Sequence, residues 1–205
     1  MGNEANCKAK FGGRKSRGTA LLETAEIIFR SEDEAVRFKL PFTSIRAAIA
    51  VNGELRLETT DGPAVLELGA NAAKWCDKIL HPKTRIEKLG VKSGQSVSLL
   101  GEFDKDFLTE LAATTKLLKN NNSNAASDWT FFAAHSEKEL AHLAKVTKNL
   151  KGPAALWIVY PKGQKQITEN QVLAAGRNSG LKDVKVIAFS PTHTALKFVI
   201  PLDQR

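Results

Sequence analysis

The period of the apolar residues changes partway along this chain, and that change constrains its fold more than any other feature. Up to about residue 69 apolar and polar side chains alternate. Val36, Phe38 and Leu40 are interleaved with Arg37 and Lys39, and Leu55 and Leu57 with Glu54, Arg56 and Glu58. A two-residue period is that of a half-buried β-strand. Short apolar runs at Leu21-Leu22, Ile27–Phe29, Ile45–Val51 and Val65–Leu68 are punctuated by Asn52-Gly53 and Asp61-Gly62, the dipeptides of tight hairpins. Cys7–Phe11 supplies a first strand with its lysines on one side. Residues 1–80 therefore read as an antiparallel β module. It closes with a helix over Asn71–Leu80, because Ala72, Trp75, Cys76 and Ile79 share one helical face and Asn71 suits an N-cap.

Residues 81–95 form a junction punctuated by Pro82, Gly90 and Gly94, with room for a helical turn. From 96 to 205 strands alternate with helices. Strands are expected at Val97–Leu100, Trp129–Ala134 and Ala154–Tyr160, the last a continuous apolar run of the kind buried parallel strands have. Helices are expected at Asp104–Leu118, at Ser136–Leu150 behind a Ser136/Glu139 capping box, and at Thr168–Ser179 with Gln171 in the box position and Gly180 beyond the end. Lys119–Ser127 is a polar, Asn-rich loop. Val184–Phe189 and Ala195–Ile200 are joined by too few residues for a parallel crossover, so they make a hairpin. The expectation is a small Rossmann-like α/β domain with three parallel strands and a C-terminal antiparallel hairpin.

Two resemblances follow from these residues. The order of strands and closing helix in residues 1–80 is similar to pleckstrin-homology-like modules. Lys88-Leu-Gly-Val-Lys-Ser-Gly-Gln95 with Val97–Leu100, Ala155-Leu-Trp-Ile-Val-Tyr-Pro-Lys162, and Gly180-Leu-Lys-Asp-Val-Lys-Val186 with Leu196–Val199 together resemble a bacterial family catalogued as domain of unknown function 3052. The likeness spans roughly residues 82–200. It implies a bacterial origin and a reduced, methyltransferase-like Rossmann sheet, and it implies no activity. The family pattern has an Asp and a Trp in the last hairpin, where this sequence has Ser190 and His193.

Charge narrows the partners. The net charge is +8, with the surplus at the two ends. Residues 1–18 hold Lys8, Lys10, Arg14, Lys15 and Arg17 against Glu4, residues 19–80 are net acidic, and residues 81–205 are net basic. Such a balance favours anionic partners. Gly12–Gly18 reads as a basic, glycine-rich hairpin loop. With Lys10, Arg14, Lys15 and Arg17 it is the candidate anion site, its Lys…Lys-x-Arg spacing resembling that of phosphoinositide-binding pleckstrin-homology domains. Nucleic acid has less support, since Trp75, Trp129 and Trp157 lie in apolar patterns and no aromatics interleave with the basic residues. The partner stays open between a protein and an anionic small molecule.

The chemistry that catalysis needs is mostly missing. The first strand of the α/β domain ends Gly101-Glu102-Phe103-Asp104, without the G-x-G that lets a backbone approach a dinucleotide or S-adenosylmethionine. No cofactor is expected from that loop. His81, His135, His142 and His193 lack zinc-ligand spacing, and no G-x-S-x-G elbow occurs. Cys7 and Cys76 read as small apolar residues. The N-terminal residues contain no apolar leader and no stretch is long enough to span a bilayer, so a cytoplasmic location is expected. What remains is the rim at the carboxyl ends of the parallel strands, where Gly101, Glu102, His135, Tyr160 and Lys162 would converge. The reading is a non-catalytic binding or regulatory protein. A small transferase-like enzyme using that rim and an anion binder using the 12–18 loop are the alternatives.

Overall fold

A computed structural model describes residues 3–117 and 127–205. The chain divides into two compact units, Met1–Lys83 and Thr84–Arg205. Residues 84–95 of the expected junction thus belong to the second unit.

The first unit is one seven-stranded antiparallel sheet. In chain order its strands are β1 (Asn3–Phe11), β2 (Arg14–Leu22), β3 (Glu26–Ser31), β4 (Arg37–Pro41), β5 (Ile45–Val51), β6 (Glu54–Thr59) and β7 (Gly62–Glu67). They lie in the order β4-β3-β2-β1-β7-β6-β5, so two meanders join where β1 pairs with β7. Asn52 and Gly53 both take positive φ in the β5–β6 turn, as a tight hairpin requires. Alternation places Ala20, Leu22, Ile27, Phe29, Phe38, Leu40, Leu55, Leu57 and Leu66 on one buried face. Helix α1 (Asn71–Leu80) adds Ala72, Trp75, Cys76 and Ile79 to that core. Asn71 lies inside the helix, and Ala70 precedes it without a side-chain cap. Burial, with the Glu67 charge second, pushes the Cys7 thiol up to about 11, which keeps it protonated and unreactive.

The second unit is a six-stranded mixed sheet with helices on both faces. Its elements are α2 (Arg85–Leu89), β8 (Ser96–Leu100), α3 (Lys105–Thr114), β9 (Lys116–Leu117), β10 (Trp129–Ala133), α4 (Glu137–Leu140), α5 (Leu143–Thr147), β11 (Ala155–Pro161), α6 (Glu169–Asn178), β12 (Lys182–Ala188) and β13 (His193–Val199). The order is β12-β13-β11-β10-β8-β9. β9, β8, β10 and β11 run parallel, while β13 lies antiparallel between β11 and β12. One face packs α2 and α3 through Leu89, Phe107 and Leu111 onto Val97, Phe131, Trp157 and Ala195. The other packs α4, α5 and α6 through Leu140, Leu143, Val146 and Val172 onto Phe132, Leu156, Ile158 and Phe198. Trp157 donates its indole N–H to the Leu89 carbonyl at 3.2 Å, which fixes α2 onto the sheet.

Three local differences from the sequence reading matter. The helix expected over 104–118 ends at Thr114, and Lys116–Leu117 forms a short fourth parallel strand; Leu118 and residues 119–126 of the Asn-rich loop lie outside the described residues. The helix expected over 136–150 is two short pieces broken at Ala141-His142. The Ser136 hydroxyl bonds Glu139 Oε1 at 3.1 Å, so it caps no backbone amide. α6, by contrast, carries the complete Thr168/Gln171 capping box, and Gly180 follows it at φ +79.

Candidate functional site

The carboxyl ends of β8, β10 and β11 bring the expected rim residues to one end of the second unit, but most of them are occupied by the fold. The Tyr160 side chain is buried, and its hydroxyl donates to Glu169 Oε2 at 3.0 Å in the first turn of α6. Burial above all, then the Glu169 carboxylate, raises its phenol far above the ordinary range, so it is a fixed donor. Lys162 Nζ donates to the Ser190 carbonyl at 2.8 Å and to that of Pro191 at 3.4 Å, tying down the β12–β13 connection. Glu102 is exposed. Gly101 sits at φ +90, and a Cβ there would lie 2.8 Å from the Ala133 carbonyl oxygen, so β8 can end against β10 only with glycine.

Two imidazoles do meet at this rim. His135 follows β10, its ring centroid 6.1 Å from that of His193 and edge-on to it. The His135 amide is held by Glu139 Oε2 at 3.0 Å, and His193 Nδ1 lies 2.9 Å from Thr192 Oγ1. Burial lowers the pKa of His193, the neighbouring His135 and Lys162 charges lower it further, and Asp104 opposes them. It is therefore a neutral imidazole at pH 7. Asp104 itself caps α3 by accepting from the Phe107 amide at 2.7 Å. It also pairs with Arg85, whose guanidinium lies over the Phe107 and Phe189 rings and holds Glu110 as well.

Just below the rim a pocket of about 500 Å³ opens on the sheet face that carries α5. Its floor is β8 and β10, where Ser98 pairs with Thr130 and Leu100 with Phe132. α5 and the turn before it form one wall through His142, Lys145 and Val146, and Gly101 and Ala133 close the upper end. Ser127 and Thr130 hydroxyls are buried 3.2 Å apart and bond each other, and each oxygen keeps acceptor capacity for a ligand. Leu100, Phe132 and Val146 give an apolar body, and His142 and Lys145 add donors at its edge. Of the residues named for the rim, only Gly101 lines this space. The sequence reading looked along the strand ends and missed the strand face. Ser98 and Thr130, polar residues in otherwise apolar strands, were the available signal.

The basic hairpin stands in the first unit. Lys10 and Lys15 face each other across β1 and β2, and Arg14 pairs in register with Phe11 beside the turn. Lys15 forms an ion pair with Glu67. Arg17 shares two open clefts of about 580 and 550 Å³ with Lys8 and Glu32, the first also bordered by Glu67 and the second by Lys15 and Asp33. Among the described residues no group of His, Cys, Asp and Glu is placed to hold a metal ion, and no helix is long and apolar enough to cross a membrane.

No family model matches the chain, and no curated protein does. Among solved structures it is similar to a SAM-dependent methyltransferase from Aquifex aeolicus, at 15% identity over 57% of this chain and 87% of that one, TM-score 0.40. It is also similar to a TehB-like SAM-dependent methyltransferase from Corynebacterium glutamicum, at 11% identity over 63% and 96%, TM-score 0.39. A third is magnesium protoporphyrin IX methyltransferase from Synechocystis with bound SAM, at 10% identity over 57% and 74%, TM-score 0.39. The sequence reading expected no cofactor, whereas these solved structures are methyltransferases, two of them described as SAM-dependent and one holding SAM. That expectation rested on the single glycine after β8, which speaks to one loop and not to the sheet face beside it.

Proposed function

We propose that the second unit is a small-molecule-binding domain whose ligand occupies the pocket between β8, β10 and α5. The supporting observation is the pocket itself. It has an apolar floor of Leu100 and Phe132, hydroxyls at Ser98, Ser127 and Thr130, and His142 and Lys145 at its mouth. Its volume of about 500 Å³ is within the ordinary range for small-molecule sites. With Glu139 and Asn149 also in the lining beside His142 and Lys145, the pocket suits a compact ligand with a flat or apolar body and a polar, charged end. S-adenosylmethionine and its demethylated product, S-adenosylhomocysteine, each with a flat adenine and a zwitterionic amino-acid end whose carboxylate could meet Lys145, head the list of ligands to try.

A thermal-shift series on the whole chain tests the reading, with S-adenosylhomocysteine, mononucleotides, dinucleotides and aromatic carboxylic acids as probes. A ligand present at about 100 times its Kd stabilises the folded state by about 2.7 kcal/mol, a rise of several degrees for a domain of this size. At least one probe is expected to give that rise; a flat series contradicts the reading.

A transferase reading draws on one further observation, the edge-on approach of His193 and His135 at the strand ends, where burial favours the neutral form of His193. A neutral imidazole there can accept a proton from a substrate nucleophile. It requires that S-adenosylmethionine bind and that a methyl group leave it. Binding without turnover across nucleophile classes would favour the binding or regulatory role.

A further inference from the structure

The outer face of the first unit carries a feature that the pocket does not explain. Strand alternation turns Lys8 and Lys10 of β1, Lys15 and Arg17 of β2, Arg30 of β3 and Arg37 and Lys39 of β4 away from the core, all of them exposed. The register then sets like charges directly opposite one another. Lys10 faces Lys15 and Lys8 faces Arg17 across β1–β2, and Arg30 faces Arg37 across β3–β4. Like charges in directly opposed positions destabilise a sheet. Three such pairs on one face are a standing cost to folding.

Internal pairing relieves only part of it. Glu67 takes Lys15 and Glu26 takes Lys39. Glu32, whose amide donates to the Arg17 carbonyl at 3.0 Å, and Asp33, which accepts from the Ser16 hydroxyl at 2.6 Å, put two carboxylates at the edge of the array. Lys8, Lys10, Arg17, Arg30 and Arg37 form no ion pair among the described residues. The pairs step diagonally over the sheet. Successive same-face positions on a strand are about 6.8 Å apart and neighbouring strands about 4.8 Å apart, so the cations form a regular track.

We infer that this face docks the phosphate backbone of a nucleic acid, held by charge and without base readout. Charge complementarity carries the assignment: a regular row of exposed cations suits a polymer with one anion per repeat. The surrounding chemistry argues against the other polyanions. The apolar residues of the face, Leu21 and Ile28, are half-buried. Of the exposed large apolar residues of this unit, Ile49 and Val51 turn to the same side of the sheet but on its far edge strand β5, three strands from β1 and beyond Glu54, Arg56 and Glu67 of β6 and β7, while Leu80 ends α1. The cationic stretch over β1–β4 therefore offers little to insert into a bilayer and no apolar centre for a protein interface. It also carries no aromatic ring for base stacking, which limits recognition to the backbone. The basic loop foreseen from sequence is one end of this track; Lys8, Arg30 and Arg37 extend it across four strands.

Fluorescence anisotropy of a labelled 20-base-pair duplex of arbitrary sequence, titrated with the whole chain over a series of salt concentrations, tests this. Binding at low salt is expected, weakening with log[salt] at a slope of about −0.9 per phosphate contacted. Arg30→Glu/Arg37→Glu should weaken binding at least tenfold and flatten that slope. Lys74→Glu/Lys78→Glu on the exposed side of α1 makes the same change in net charge and should leave binding within twofold. Arg30→Gln/Arg37→Gln, which removes the repulsion and both cations without adding a negative charge, must retain the wild-type circular dichroism spectrum and also bind more weakly. No binding at low salt, equal losses in the two Glu variants, or binding to phosphatidylserine vesicles but not to the duplex would each overturn the inference. The pocket of the second unit shares no residue with this face, so its ligand response is untouched by either result.

Discussion

Gly176 shows how narrowly one residue can be specified. It lies in α6, where glycine costs helix stability, yet a Cβ at this position would come within 2.2 Å of the Phe198 ring of β13. The helix sits on the sheet at a distance only a hydrogen permits. Gly176→Ala is expected to destabilise the second unit by about 1–3 kcal/mol, the usual cost of overpacking, despite the better helix propensity of alanine. A denaturant melt measures it, and a gain in stability would show that Phe198 can move aside. His193 makes a prediction of a different kind. Its folded pKa is lowered, so the folded protein binds its proton less readily than the unfolded chain does. The stability it contributes is present above the unfolded value of about 6.5 and is lost as pH falls through the folded value. Midpoints of unfolding between pH 7.5 and 5 should drop less in His193→Gln than in the parent, and equal drops would remove His193 as the source.

At the scale of elements, local signals predict best where they act alone. The Thr168/Gln171 box is legible in sequence and present in full, with Thr168 Oγ1 accepting from the Gln171 amide and Gln171 Oε1 accepting from the Thr168 amide. Thr168→Ala should therefore cost about 1 kcal/mol in a denaturant melt, while Thr168→Ser should cost little. Ser136 and Glu139 have the same spacing, but Glu139 Oε2 takes the amide of His135 and its Oε1 the Ser136 hydroxyl. No cap forms, and the helix expected over 136–150 breaks into α4 and α5. Tertiary competition of this kind is invisible to a pattern of types and spacings. The seven strands of the first unit were legible because Asn52-Gly53 and Asp61-Gly62 fix turns and alternation fixes faces. β9 was not, because a two-residue strand gains its identity only from β8 beside it.

At the scale of the whole molecule, the end of the two-residue period near residue 69 and the strand–helix alternation from residue 96 foretell two kinds of architecture, and each unit completes its own core. The candidate site was less legible than the fold. Tyr160 and Lys162 have the chemistry of a rim but are bonded to Glu169 and to the Ser190 carbonyl. The pocket depends instead on which stretch of sheet face the helices leave uncovered, and no single segment encodes that. Its central claim is open to one direct measurement. Ser98 lines the pocket from β8 and is only half-buried, so Ser98→Trp fills the space without entering either core. Calorimetric titration of parent and variant with the probe that gives the largest thermal shift is the decisive comparison. The pocket reading predicts at least a hundredfold loss of affinity in Ser98→Trp with an unchanged melting temperature of the free protein. Equal affinity in the two proteins would place the ligand elsewhere and contradict it.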